Sequence, residues 1–306
     1  MASLYEVLTA TLLVYFQTIV TNAEIKYELD FYTKQTIIHS KELITSTERT
    51  PSIKVLSDVT VLRKGMLEIS AETYEFWIEN RNLEKIEVGA FDNQNITYLI
   101  SLESNKLTVI ASGTFKNLKI RTLDLSLNKI TRVEENAITD MPNLKEVFLS
   151  YNKIVKFNEN SFVNTPKLWV LDVQYNEFAE LSEKGFTFMK KDKAVILSFD
   201  HNNIEKIHAE TFDGITVGSL DLSHNKLNQV PAEIFTGSLV ELMLNNNTVE
   251  DLPDTFFQQK KLKEVDVSDN PLTCGTVQKL RKLAEENSMT QLLFHRRFQH
   301  VFFQYY

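Results

Sequence analysis

The sequence predicts an α/β solenoid: a curved stack of similar coils, each giving one short strand, with parallel strands on the concave face and a cap at either end. Two columns of residues predict it. The first is an Asn that returns at Asn105, Asn128, Asn152, Asn176, Asn202, Asn225, Asn247 and Asn270. Apolar residues stand five and three positions before each Asn and two after it, as Leu123, Leu125 and Ile130 do around Asn128. The second column lies ten positions after each origin and holds Phe91, Phe115, Ile138, Phe162, Phe186, Phe212, Phe235 and Phe257. An earlier unit carries Arg81 in the Asn slot, with Phe76, Ile78 and Leu83 in frame, so the frame counts nine units spaced 22 to 26 residues apart.

Each element follows from that frame. Side chains of a strand alternate faces, so residues five and three before the origin turn inward and those six, four and two before it turn outward. The Asn leads the chain out of the strand, and its amide can satisfy backbone groups buried between coils. The Phe column fills a wider outer layer, which lengthens the convex side and curves the stack. The widest spacing, between Asn176 and Asn202, places a two-residue insertion at 187–193, on the convex side. An open solenoid exposes apolar core and a strand edge, so both ends need covers. Residues 24–72 read as the N-terminal cap: Ile25, Tyr27, Leu29 and Phe31 alternate as in a strand, and 55–62 is apolar ahead of Met66, Leu67 and Ile69. Residues 73–272 hold the repeats. Residues 273–306 read as a cap helix, with Val277, Leu280 and Leu283 at helical spacing, and an aromatic tail.

The frame matches L-x-x-L-x-L-x-x-N-x-L through Ile120, Leu123, Leu125, Asn128 and Ile130, and so resembles the leucine-rich repeats of extracellular proteins. That resemblance implies a horseshoe that binds other macromolecules. The preface ahead of Phe76 resembles secreted insect leucine-rich immune proteins. It implies circulation and pathogen recognition, often as disulfide-linked dimers with a coiled-coil tail. Here the chain departs from the pattern, with no heptads after Leu283 and one cysteine, Cys274. The run Asn270-Pro271-Leu272-Thr273-Cys274 resembles the opening of the family's C-terminal cap, without its further cysteines.

The net charge of −8 argues against binding nucleic acid or anionic membrane, which needs clustered Lys and Arg. Residues 12–20 are apolar but too short to span a bilayer, and Thr21-Asn22-Ala23 supplies small residues for cleavage. Residues 1–23 therefore read as a signal peptide, and the protein as secreted with no transmembrane span. Cys274 has no internal partner, leaving a free thiol or a link between two chains. Export would make glycan acceptors of Asn95, in Asn95-Ile96-Thr97, and Asn246, in Asn246-Asn247-Thr248.

The outward strand positions of nine units number 27; eleven are acidic and none is Lys or Arg. Such a trough steers a cationic protein partner. Its candidate acids are Glu79, Glu103, Glu146, Asp172, Asp200 and Glu241, and its apolar anchors Trp77, Leu99, Phe148, Val170, Ile196 and Met243. Pairs such as Asp124 and Ser126 are ordinary for this repeat and carry no functional weight. One position before the origin, Tyr151, Tyr175, His201 and His224 form a ladder in successive units. Two His without a third ligand make a poor zinc site, so neither metal nor cofactor is expected.

No Gly-rich phosphate loop, H-E-x-x-H, G-x-S-x-G or Cys/His cluster occurs, which argues against an enzyme. The sequence thus reads as a secreted, non-catalytic protein-binding scaffold of innate immune recognition. A matrix, adhesion or receptor-associated component stays open, as does an intracellular adaptor if 12–20 is not a signal.

Overall fold

Short runs with alternating inward apolar residues can only bury one face each, and stacking copies of them side by side closes a continuous core. A computed structural model shows that arrangement and describes residues 35–38, 44–158, 160–189, 192–235 and 237–293. The proposed signal peptide, the strand expected around Ile25 to Phe31 and the aromatic tail from 294 onward lie outside the described residues.

Twelve strands form one parallel sheet whose spatial order is the order of the chain. They are Gln35–Ile38, Thr50–Val55, Thr73–Trp77, Ile96–Ser101, Thr122–Asp124, Glu146–Phe148, Val170–Asp172, Ala194–Ser198, Thr216–Asp221, Glu241–Met243, Glu264–Asp266 and Gln291–Leu293. The register keeps equal frame positions side by side: Thr122 faces Glu146, Glu146 faces Val170, and Val170 faces Ile196. The stack has about 11 turns and little helix. Sheet pairing extends upstream of the nine frames, because Thr50–Val55 pairs with Thr73–Trp77 and Gln35–Ile38 with Thr50–Val55.

The inward pairs are sealed: Leu123, Leu125, Val147, Leu149, Leu171 and Val173 are fully buried. Behind them the aromatic column packs ring on ring, with Phe91 and Phe115 at 5.4 Å between centroids. One member differs from the expectation. Phe257 is only half-buried, and Phe256 takes the core place against Phe235 at 5.2 Å, because the coil closes there through a tight 3-10 turn, Phe256–Gln258. In the insertion, Phe188 stacks on Phe162 at 4.4 Å and Met189 is buried. The following strand carries a register irregularity between Val195 and Ile196 against Thr216–Asp221.

The Asn column does what its chemistry allows. Asn128 accepts from the Leu107 N–H at 3.0 Å and donates to the Leu102, Leu125 and Ser126 carbonyls at 3.0, 3.1 and 3.0 Å. Each such side chain therefore joins its own coil to the one before it. Arg81 reproduces half of this device: its Nε donates to the Val55 carbonyl at 3.2 Å. The backbone carbonyl of Arg81 supplies the other half, accepting from the Val59 N–H at 2.9 Å.

Downstream, Cys274–Asn287 is the one α-helix among the described residues, with Leu280 and Leu283 buried and Val277 packed on the core. Thr273 caps it by accepting from the Thr276 N–H at 3.2 Å. Beyond the helix, Gln291–Leu293 adds the last strand of the sheet. No helix among the described residues is long and apolar enough to cross a membrane.

Candidate functional site

Parallel strands lie about 4.8 Å apart, so an outward side chain in this sheet is flanked by its counterparts from both neighbouring coils. All 27 outward positions are accordingly at least half-buried. Two of the twelve candidate contact residues are buried outright: Val170 is 3% exposed and Glu146 is 9% exposed. Both start a strand and are walled in by their neighbours in the register; Glu146 accepts from the Thr122 hydroxyl at 3.0 Å. Trp77, Glu79, Leu99, Glu103, Phe148, Asp172, Ile196, Asp200, Glu241 and Met243 line the trough in part exposure.

The trough is not free of bases along its whole length. Lys54, from the coil ahead of the nine frames, pairs in register with Trp77, lies 5.8 Å from its ring and comes within 4.0 Å of Glu79. Glu79 also accepts from the Ser101 hydroxyl at 2.6 Å, and Trp77 donates its indole N–H to Glu75 at 3.2 Å.

Further along, the acids four positions before the origin have a structural task. Asp124 accepts from the Ser126 N–H at 2.9 Å, Asp172 from the Gln174 N–H at 3.0 Å and Asp221 from the Ser223 N–H at 2.9 Å. Each carboxylate thus satisfies a backbone group where its strand ends. Burial pushes the Asp172 and Asp221 carboxyls up to about 6, against the pull of these hydrogen bonds. Asp124 and Glu146 are raised for the same first cause.

Residues one before the origin share a backbone device that the sequence does not announce. From Asn80 through Ser104, Leu127, Tyr151, Tyr175, His201, His224, Asn246 and Asp269, every φ lies between 50° and 57°. This left-handed step breaks the alternation of faces and turns the side chain to the downstream rim of the trough. There the rings stack: Tyr151 on Tyr175 at 4.2 Å, Tyr175 on His201 at 4.1 Å, and His201 on His224 at 3.9 Å. Desolvation, then Tyr151, pushes the Tyr175 hydroxyl up to about 12.

Asp200, two before its origin, reaches the same rim and lies 2.7 Å from His201 Nδ1. Donor atoms of Asp200, His201 and His224 all fall within 4.8 Å of one another. The opposite rim carries a second stack missed in the sequence, where Tyr74 lies on Tyr98 at 4.4 Å and the Arg121 guanidinium sits 5.1 Å from the Tyr98 ring. Its signal was a Tyr seven positions before two successive origins.

Of the two sequon residues, Asn246 is exposed, with its amide 3.4 Å from His224 Nε2. Asn95 is half-buried beside the strand Ile96–Ser101, on an open cleft of about 660 Å³ that Asp92, Gln94, Lys116 and Lys119 also line. Cys274 is exposed at the first turn of its helix.

These coils, their Asn column and their parallel register find matches among known proteins. A family profile described as leucine rich repeat matches residues 119–178 and 215–272. The chain folds as a leucine-rich-repeat solenoid. It is similar to a chain of the Toll–Spatzle complex from Drosophila, in glycosylated form, at TM-score 0.64 and 14% identity over 81% of this chain and 34% of that one. It is also similar to a chain of the TLR13–ssRNA13 complex, at TM-score 0.54 and 21% identity over 72% of this chain and 36% of that one. At such identities the likeness establishes the shared fold. The solenoid spans about a third of the length of each of these two chains. Comparison with curated proteins finds no match.

Proposed function

We propose that this solenoid is a secreted, non-catalytic recognition scaffold of innate immunity whose concave trough takes a cationic protein surface. The observation that carries the reading is the charge pattern of the trough: eleven acids and no Lys or Arg among 27 outward positions of nine coils. Glu79, Glu103, Asp200 and Glu241 keep partial exposure there. Charges so placed raise the rate of encounter with a basic partner and disfavour anionic ones, nucleic acid included. Trp77, Leu99, Phe148, Ile196 and Met243 stand among them as apolar anchors, the residue types that supply binding energy once water is expelled. The Toll–Spatzle complex, a molecular hub in Drosophila development and innate immunity, shows a protein of this fold class in such a setting. Secretion rests on residues 1–23, glycosylation on Asn95 and Asn246, and an interchain disulfide on the exposed thiol of Cys274.

Two measurements test this. The full chain expressed in an insect cell line should collect in the medium and shift on glycosidase treatment, with a non-reducing dimer if Cys274 links two chains. Retention in the cell without a glycan would point to an intracellular adaptor. Immobilised wild type should capture a basic protein from extracellular fluid, and the triple variant Glu79→Lys, Glu103→Lys and Glu241→Lys should lose roughly tenfold or more of that capture along with its salt dependence. These positions are chosen because they are partly exposed; reversing Glu146 would bury a lysine, and reversing Asp172 would remove the acceptor of the Gln174 N–H. Equal capture by the variant would remove the trough as the binding surface.

A further inference from the structure

The ladder on the downstream rim ends in two imidazoles beside a carboxylate, and that group combines three ligands of two types from two adjacent coils. We propose that Asp200, His201 and His224 form a site for one divalent transition-metal ion, zinc(II) in the first place. The site shares Asp200 with the trough, but its other two ligands stand on the rim and its test does not need the trough's partner.

Ligand chemistry selects the ion class. Two imidazole nitrogens and one carboxylate oxygen suit a borderline ion such as zinc, whereas calcium and magnesium call for shells of oxygen ligands. Three protein ligands leave a fourth position open to water, as zinc sites of this composition do.

Geometry brings the donors near enough. With bonds of about 2.0–2.2 Å, tetrahedral zinc holds its ligand atoms roughly 3.3–3.5 Å apart. His201 Nδ1 and an Asp200 oxygen are already 2.7 Å apart, and all three donors lie within 4.8 Å. Closing the site takes a turn of the His224 ring out of its stack on His201, where the rings meet at 3.9 Å. The exchange gives up that ring contact and the hydrogen bond between His201 Nδ1 and Asp200, whose proton leaves to solvent as the two atoms part from 2.7 to about 3.3 Å, for metal–ligand bonds.

Neighbouring groups hold the ligands in place. The Ser223 hydroxyl donates to the other Asp200 oxygen at 2.8 Å, so the carboxylate keeps its 2.7 Å oxygen toward His201. The outer nitrogen of His201 lies 3.4 Å from the Tyr175 hydroxyl. Nε2 of His224 lies 3.5 and 3.4 Å from the Asn245 and Asn246 amides. A metal-bound imidazole must pass its second N–H to an acceptor; the hydroxyl of Tyr175 serves directly and the Asn amides serve once turned. Asp221 shares Ser223 with Asp200, which adds to the negative field drawing a cation to this rim.

In the sequence alone the pair of His lacks a third ligand. Strand alternation would send Asp200 and His201 to opposite faces; the left-handed backbone at His201, φ 50°, undoes the alternation and brings both to one edge.

The test is calorimetric titration of the full chain with zinc chloride, with calcium chloride as the comparison. His201→Asn and His224→Asn are the informative variants. Asn accepts the left-handed backbone, and Asn246 already occupies the same frame position at φ 55°. Wild type is expected to bind one equivalent of zinc in the low micromolar range or tighter, with a rise in Tm on zinc addition. Each His→Asn variant and Asp200→Asn should weaken the affinity at least tenfold and abolish that rise, while His208→Asn leaves both unchanged. Zinc binding that survives intact in the His201→Asn and His224→Asn double variant would overturn the proposal, as would calcium binding as tightly as zinc or wild type binding no zinc.

Discussion

Asn152→Ala is expected to lower the unfolding free energy by about 4 kcal/mol. The side chain is 8% exposed and works on both sides of one coil boundary. Its oxygen accepts from the Ile130 N–H at 2.8 Å, and its nitrogen donates to the Leu125, Leu149 and Ser150 carbonyls at 3.0, 3.0 and 3.3 Å. A methyl group leaves that N–H buried without a partner, at about 1–3 kcal/mol. It also removes one of two amide donors from each of the Leu125 and Leu149 carbonyls, which keep Asn128 and Asn176, at about 1 kcal/mol for each bond lost. Asn270 has the same partners one level from the end of the sheet, but it is more open to water, so Asn270→Ala should cost about half as much. Urea denaturation followed by circular dichroism compares the two. A central break also interrupts a stack held only by nearest neighbours, so Asn152→Ala should broaden the transition or split it. Losses under about 1 kcal/mol at both positions would mean that water replaces the amide and that apolar packing alone holds the coils together.

The Asn and Phe columns were readable in sequence because they are buried at every level, and burial restricts residue type. Leu123 and Leu125 accept almost nothing but a large apolar group, and Asn128 almost nothing but an amide. The left-handed column shows the opposite case. Its backbone is uniform, yet its side chains face the rim and vary from Asn80 to Leu127 to His201, so no residue type marks it. Upstream turns lack the signature for another reason. Val59 and Val55 find their partners in the carbonyl and guanidinium of Arg81, so the signature amide is replaced and the frame falls silent while the sheet continues. The burial of Glu146 and Val170 depends on which residues flank them across the register, and a single repeat does not contain that information. The rim cluster was hidden by the alternation rule itself, which holds through Asp200 and fails at His201.

Asp172→Asn is expected to be the more stable protein at pH 7, by up to about 3 kcal/mol, and to lose that advantage near pH 4. Burial pushes the Asp172 carboxyl up to about 6 from an ordinary value of 3.8. The folded state therefore holds this proton more tightly than the unfolded chain does. As pH rises through the window from about 4 to 6, the unfolded chain releases the proton first, and wild type loses stability relative to a variant with nothing to release. Above about 6 the difference levels off. Asn keeps the oxygen that accepts from the Gln174 N–H, and its new N–H₂ can donate to the Gln174 side chain after that amide turns, so the strand end stays satisfied. Denaturation midpoints of the two proteins at pH 4, 5, 6 and 7 check the sign; a gap that does not change with pH would show that this carboxylate is better solvated than its place in the sheet implies. The same variant separates two reasons for an acid in the trough. A strand-ending hydrogen bond needs only an oxygen, which Asn supplies, whereas attraction of a cationic partner needs the charge, which Asn removes. If Asp172→Asn gains stability and loses capture together, the chain keeps a buried charge at the expense of its own fold because the trough's partner requires it.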